Sequence, residues 1–182
     1  MRVTGGEFGG QPLLAPRGWK VRPTSDRARE AIFSSLGERV LGARVLDLYC
    51  GTGALAIEAL SRGAEHAILV DRDTRPALGN VERLALGARA ELVRAEVERW
   101  LERVSGQEET GIFDLVFVDA PYRLADRVTD PLNKHLPELL AAEGRVVVES
   151  ATGKPLRIDS LERRRQRRYG AADVSIYARA DE

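Results

Sequence analysis

A chain of 182 residues, 43% apolar and 31% charged, can close one domain around a full core, and it has no apolar run of the roughly 18 residues a membrane span needs. Acidic and basic residues balance at 28 each, so net charge points to no polyanionic partner, although a local patch still can. Cys50 is the single cysteine and His66 and His135 the two histidines, which excludes an internal disulfide and gives no metal-ligand spacing.

No charged-then-apolar leader opens the sequence, and a cytoplasmic protein is expected. The first 20 residues, MRVTGGEFGGQPLLAPRGWK, carry paired glycines that mark turns,. They predict a β-hairpin arm (1–20) ahead of a single catalytic core (21–182). Thr24 or Ser25 can cap a helix over SDRAREAIFSSL, whose apolar side holds Ala31, Ile32 and Leu36 and which Gly37 ends,. From Arg44 strand and helix alternate: RVLDLY, the helix of GTGALAIEALSRGA, HAILV, a helix from Thr74 to Leu86, ARAELV, a helix from Val97 to Val104, FDLVFVD, a helical stretch to Leu140, and GRVVVES. Continuous apolar strands separated by helices predict a parallel sheet buried on both faces. After Pro155 the turn residues inside LERRRQRRYGAADVSIYARA predict a closing hairpin,. The expected fold is α/β, doubly wound, with a mostly parallel seven-stranded sheet.

Two constellations carry chemistry. In DLYCGTGALA, Gly51 and Gly53 follow a strand and open a helix, the setting of a cofactor-binding glycine loop,. The next strand ends at Asp71, an acid placed to hold the ribose hydroxyls of an adenosine cofactor,. GTGALA also satisfies G-x-G-x-x-A, so NAD is allowed at this point alongside S-adenosylmethionine. Asp47 before the loop, Tyr49 within it, Arg72 after Asp71, and Glu96 with Val97 after the third strand complete the candidate cofactor set. Glu96 can equally be a helix N-terminal acid favoured by the dipole.

The second constellation is Asp119, Ala120, Pro121 and Tyr122 at the end of the fourth strand. Ligands of doubly wound folds lie outside the carboxyl ends of the strands, so DAPY faces the same crevice as the glycines. The exocyclic amine of a nucleobase is a poor nucleophile because its lone pair is delocalised. Asp119 and the Ala120 carbonyl can accept its two N–H bonds and stabilise the charge that develops as a methyl group arrives. Tyr122 can stack on the base, and Pro121 fixes the turn. A dinucleotide has no use for this tetrad, which favours S-adenosylmethionine.

These motifs resemble the class I S-adenosylmethionine-dependent methyltransferases of amino groups, whose fourth motif is (D/N)PPY. More specifically, the chain is similar to the RsmD family of 16S rRNA guanine-N2 methyltransferases through MRVTGGEFGG, RPTSDRAREAIFSSL, VLDLYCGTGALAIEALSRGA and FVDAPY. The resemblance implies transfer of a methyl group to N2 of one guanine, nucleotide 966 in the usual rRNA numbering, within an assembled or assembling 30S particle. Two departures stand out. Ala120 replaces the family's usual proline, keeping a carbonyl but losing its fixed φ. Gly9, Gly10, Gln11 and Pro12 replace basic residues along the arm.

Arg22, Arg27 and Arg29 in the family-specific segment, and Arg123 directly after the tetrad, are the candidate RNA contacts; Arg27 with Glu30 can instead form a surface ion pair. Arg163, Arg164, Arg165, Arg167 and Arg168 form the densest positive run, but on a strand they divide between two faces. Rivals are an adenine-N6 DNA methyltransferase, for which 182 residues leave little room for target recognition, and a non-catalytic ribosome-assembly factor. A monomer acting on 16S rRNA, without a membrane or a metal, is expected.

Overall fold

A computed structural model describes residues 1–16, 25–105, 112–153, 155–170 and 172–180, with Tyr122 by its backbone alone. Helix α1 (Asp26–Leu36) starts where the Ser25 hydroxyl accepts the Ala28 N–H at 3.1 Å. Of the two candidate caps Ser25 serves; Thr24 lies outside the described residues. Then follow β1 (Arg44–Leu48), α2 (Ala54–Ser61), β2 (His66–Asp71), α3 (Arg75–Arg83), β3 (Ala90–Arg94), α4 (Val97–Val104), β4 (Phe113–Val118), α5 (Ala125–Leu139), β5 (Leu140–Ala151), β6 (Glu162–Tyr169) and β7 (Ala172–Ala178).

The strands form one sheet in the order β3-β2-β1-β4-β5-β7-β6. The first five run parallel, β7 is antiparallel to β5, and β6 is antiparallel to β7. Both faces are covered, as continuous apolar strands require. One core packs α1, α2 and α3 against the sheet around Phe33, Ile57, Leu60, Leu69 and Phe117. The other packs α4 and α5 around Leu46, Leu48, Trp100, Leu101, Leu132 and Leu136. β5 starts four residues before the GRVVVES expected from sequence, directly after α5. Leu140 pairs with Phe113 ahead of a register shift, a contact that helix-like LAAE does not announce.

The amino-terminal segment closes on itself through an antiparallel bridge between Arg2 and Pro12, and it lies tightly on the body. The Glu7 N–H donates to the Ser61 carbonyl at 2.7 Å, and the Phe8 N–H to the Ser61 hydroxyl at 2.9 Å. A Cβ on Gly6 would stand 1.8 Å from the Ser61 carbonyl oxygen, and Gly6 has φ +77°. That glycine is what permits the close approach. Asn80 of α3 accepts the Leu14 N–H at 2.8 Å and donates to the carbonyls of Leu14 and Thr52, both at 3.0 Å. One side chain thereby joins the amino-terminal segment to the glycine loop.

Candidate functional site

The register places the four functional segments side by side. Leu48 at the end of β1 stands opposite Val70 on one side and Val118 on the other, and Asp71 stands opposite Arg94. Residues 49–53, Asp71 with Arg72, Glu96 with Val97, and Asp119 to Tyr122 therefore emerge from four adjacent strand ends. Backbone bonds tie them together. The Cys50 N–H donates to the Val70 carbonyl at 3.2 Å, Ala95 to Asp71 at 3.0 Å, and Asp119 to Leu48 at 3.4 Å.

The glycine loop is held by acids. Asp71 accepts the Gly51 N–H at 3.0 Å through one oxygen and the Asp73 N–H at 3.0 Å through the other. Asp47 accepts the Ala56 N–H at 3.1 Å, while the Gly53 N–H is taken by the Cys50 carbonyl at 2.7 Å. Gly51 and Gly53 have φ +55° and +75°, and Tyr49 shares the left-handed region at +60°. A Cβ on Gly53 would meet Leu69 at 2.9 Å and Ala77 at 3.3 Å. Gly53 thus lets the loop pack on the sheet; the atoms it avoids belong to the core.

This arrangement suits one of the two cofactor types better than the other. A dinucleotide sets its pyrophosphate against free amides at the start of the helix. Here the amides of Gly51 and Ala56 already serve the carboxylates of Asp71 and Asp47, which leaves fewer of them for a phosphate. Asp47 is buried and its second oxygen has no hydrogen-bond partner. Burial pushes its carboxyl up to about 7; the Ala56 N–H opposes the rise and Asp71 adds to it. An orphaned buried acceptor of this kind suits a cationic amine, which the amino-acid end of S-adenosylmethionine carries.

On the α4 side, burial and then Glu98 push the Tyr49 phenol above its usual range, and its hydroxyl is buried without a partner. Glu98, missed by the sequence reading, has one oxygen 3.5 Å from Arg127 and the other buried without a partner. Glu96 is the N-cap of α4 but makes no capping hydrogen bond, so its exposed carboxylate is not committed to the helix. Val97 is buried in the core beneath it and Arg72 is exposed at the rim. Burial raises the Cys50 thiol above its ordinary range, with Asp47 and Asp71 reinforcing the shift. It is a packing residue and no nucleophile.

Asp119 is half-buried at the crevice, and the Ala120 methyl is buried among the α4–α5 core. That packing anchors the turn where a proline ring would otherwise stiffen it. The Pro121 carbonyl accepts the Leu124 N–H at 2.8 Å and closes a short 3-10 turn over Tyr122–Leu124. Arg123 is exposed on this turn. The Tyr122 side chain and Arg22 lie outside the described residues.

Of the arginines expected to meet RNA, the structure corrects Arg29. Its side chain is fully buried, 2.8 Å from Asp26 and 3.8 Å from Glu58, and it donates to the Arg2 carbonyl. Glu58 also accepts the Thr4 hydroxyl at 2.7 Å and Arg62 at 2.8 Å. Arg29 therefore welds the amino-terminal segment to α1 and α2, and no phosphate can reach it. Half of the signal was in the sequence: Glu58 is the one charged residue of α2, which calls for a cation inside, but not for Arg29 in particular. Arg27 is exposed on α1.

A seven-stranded sheet with one antiparallel strand, β7, a glycine loop between two acids and a fourth strand ending in DAPY define a methyltransferase-type α/β protein. The sequence model of the family described as "Conserved hypothetical protein 95" matches residues 1–178. The chain is 37% identical to "Putative rRNA methyltransferase YlbH" of Bacillus subtilis over 97% of its own length and 98% of that protein's. It is 34% identical to "Ribosomal RNA small subunit methyltransferase D" of Escherichia coli K12, over 68% of this chain and 61% of that one. The solved structure "Putative methyltransferase yhhF from Escherichia coli" superposes with a TM-score of 0.80 at 30% identity, covering 100% of this chain and 99% of the other. The chain belongs to this family, the RsmD family.

Proposed function

We propose that the protein methylates the exocyclic N2 of a guanine in 16S rRNA, nucleotide 966 by resemblance, within the 30S particle or an assembly intermediate. The coarser part of this reading, methylation of rRNA, follows from the relatives named above. Transfer to an exocyclic amine is supported by the backbone bond from Asp119 to Leu48, which sets the acid of DAPY beside the glycine loop; the guanine, its position and the 30S particle rest on the resemblance. The cofactor is S-adenosylmethionine, which supplies an electrophilic methyl group on a sulfonium.

The chain's own residues then divide the work. Asp47 would hold the cofactor's amine, Asp71 the ribose hydroxyls and Glu96 the adenine amino group, all at the ends of β1, β2 and β3. Asp71 still has lone pairs for this role, since each oxygen carries a single amide. Across the crevice, Asp119 and the Ala120 carbonyl would accept the two N–H bonds of the guanine amine. That pairing turns the nitrogen lone pair toward the methyl group and offsets the positive charge that builds on nitrogen. Tyr122 would stack on a base that has left its own stack.

Labelled S-adenosylmethionine is incubated with 30S particles from cells lacking the enzyme, and the rRNA is digested to nucleosides. Label on N2-methylguanosine is expected. Label on adenosine, or none at all, sinks the reading.

A further inference from the structure

Strand β6 is the edge of the sheet, exposed along nearly its whole length, and carries five arginines in eight residues. The structure sorts them. Arg164 lies 3.1 Å from Glu162, and Arg168 lies 3.3 Å from Asp173. Among the described residues, Arg163, Arg165 and Arg167 have no acid within ion-pair distance. Directly opposed residues share a face. Arg165 and Arg167 stand opposite Ile176 and Val174, which belong to the α1-side core, whereas Arg163 stands opposite Tyr177 on the other side. Arg165 and Arg167, with Ile32, Ser35 and Tyr169, therefore line a shallow groove between β6 and α1. The Ser35 hydroxyl takes a 2.8 Å hydrogen bond from Arg165, which aims the guanidinium without neutralising it. Arg27, earlier on α1, is exposed and without an acidic partner among the described residues but does not line the groove.

We infer that this groove holds the phosphate backbone of the RNA strand flanking the target base. This rests on the rRNA reading given above. Three features favour a nucleic-acid backbone over simple blunting of a sheet edge. Blunting needs charge of either sign, yet both charged residues that line this groove are arginines. Arginine offers the planar fork that suits phosphate, and alternate residues on a strand place the two forks roughly 7 Å apart in a row. The row also leads to the site. β6 runs parallel to β4, so its Tyr169 end and Asp119 lie at the same end of the sheet, three strands apart. Three strand spacings are about 14 Å, a distance a few nucleotides span.

The experiment compares wild type, the double variant Arg165→Glu/Arg167→Glu and the single variant Arg163→Glu, each in binding and methyl transfer with 30S particles at several salt concentrations. For the double variant, KM should rise on the order of tenfold or more, with kcat and cofactor affinity within about twofold of wild type. The slope of log binding constant against log salt should fall by about 1.4 to 1.8, as for two lost phosphate contacts. Arg163→Glu should change KM by less than about twofold. Should the glutamates prevent folding, Arg165→Gln/Arg167→Gln read by salt slope makes the same test. An unchanged KM and slope in a folded double variant overturn the groove, as does an equal effect of Arg163→Glu. A wild-type protein that binds no RNA would instead sink the functional reading itself.

Discussion

The two halves of the crevice are built in opposite ways. On the β1–β3 half the functional groups are carboxylates held by backbone amides, and Asp47 and Gly53 lie under the loop they support. On the β4–β6 half they are a short turn anchored by Ala120, an exposed Arg123 and an exposed arginine row. On the functions proposed above, the difference follows from what each half would receive. A small cofactor with a cationic amine rewards buried acids that would cost too much without it. A large polyanion meets the surface along its length, so its contacts have to stay outside. Arginine itself makes the contrast within one chain: Arg29 is buried and tied to Asp26 and Glu58, while Arg167 faces solvent.

That contrast can be broken by substitution. Glu58→Ala removes the partner of a buried cation and should cost about 3–5 kcal/mol of stability, read as a large shift in the urea midpoint. A shift of a few tenths would place Arg29 back among surface residues. Asp47→Asn should lower cofactor affinity roughly 10- to 100-fold, the worth of about 1.5–3 kcal/mol for a hydrogen bond to a charged group. The same change should raise stability at pH 8. The Asp47 carboxyl titrates near 7 in the fold against 3.8 as the ordinary value, so the folded form holds the proton longer. Stability from this group is greatest below about pH 4 and falls as pH climbs toward 7. Urea unfolding at pH 4 and pH 8 checks it; equal differences at both pH values would contradict the buried acid. Gly53→Ala should cost about 1–3 kcal/mol, since it strains a left-handed residue and presses on Leu69. Arg123→Ala should leave stability alone and raise KM for 30S particles about two- to fivefold, below 1 kcal/mol for a surface charge.

How legible these halves were differs in the same sense. The strand and helix sequence, the glycine loop and the acids at strand ends are local patterns, and alternating apolar runs bounded by Gly and Asp spell them out. The role of Arg29 was not local: its partner Glu58 is on another helix, and only packing brings them together. The amino-terminal glycines read as turns, but nothing in MRVTGGEFGG says that Gly6 must touch Ser61. The arginine run was visible as composition, yet which guanidinium groups pair with acids depends on the β6–β7 register and its shift between Arg163 and Arg165. Ala120 looked like a departure from pattern; its methyl finds a place in the α4–α5 core because the turn follows a strand packed there.

The division of labour across the crevice is tested most directly by Asp119→Ala, assayed in parallel for cofactor binding by titration and for methyl transfer in a single turnover. Transfer should fall by on the order of a hundredfold to a thousandfold, while the cofactor dissociation constant stays within about twofold. Loss of both together would contradict that division, and so would transfer that survives.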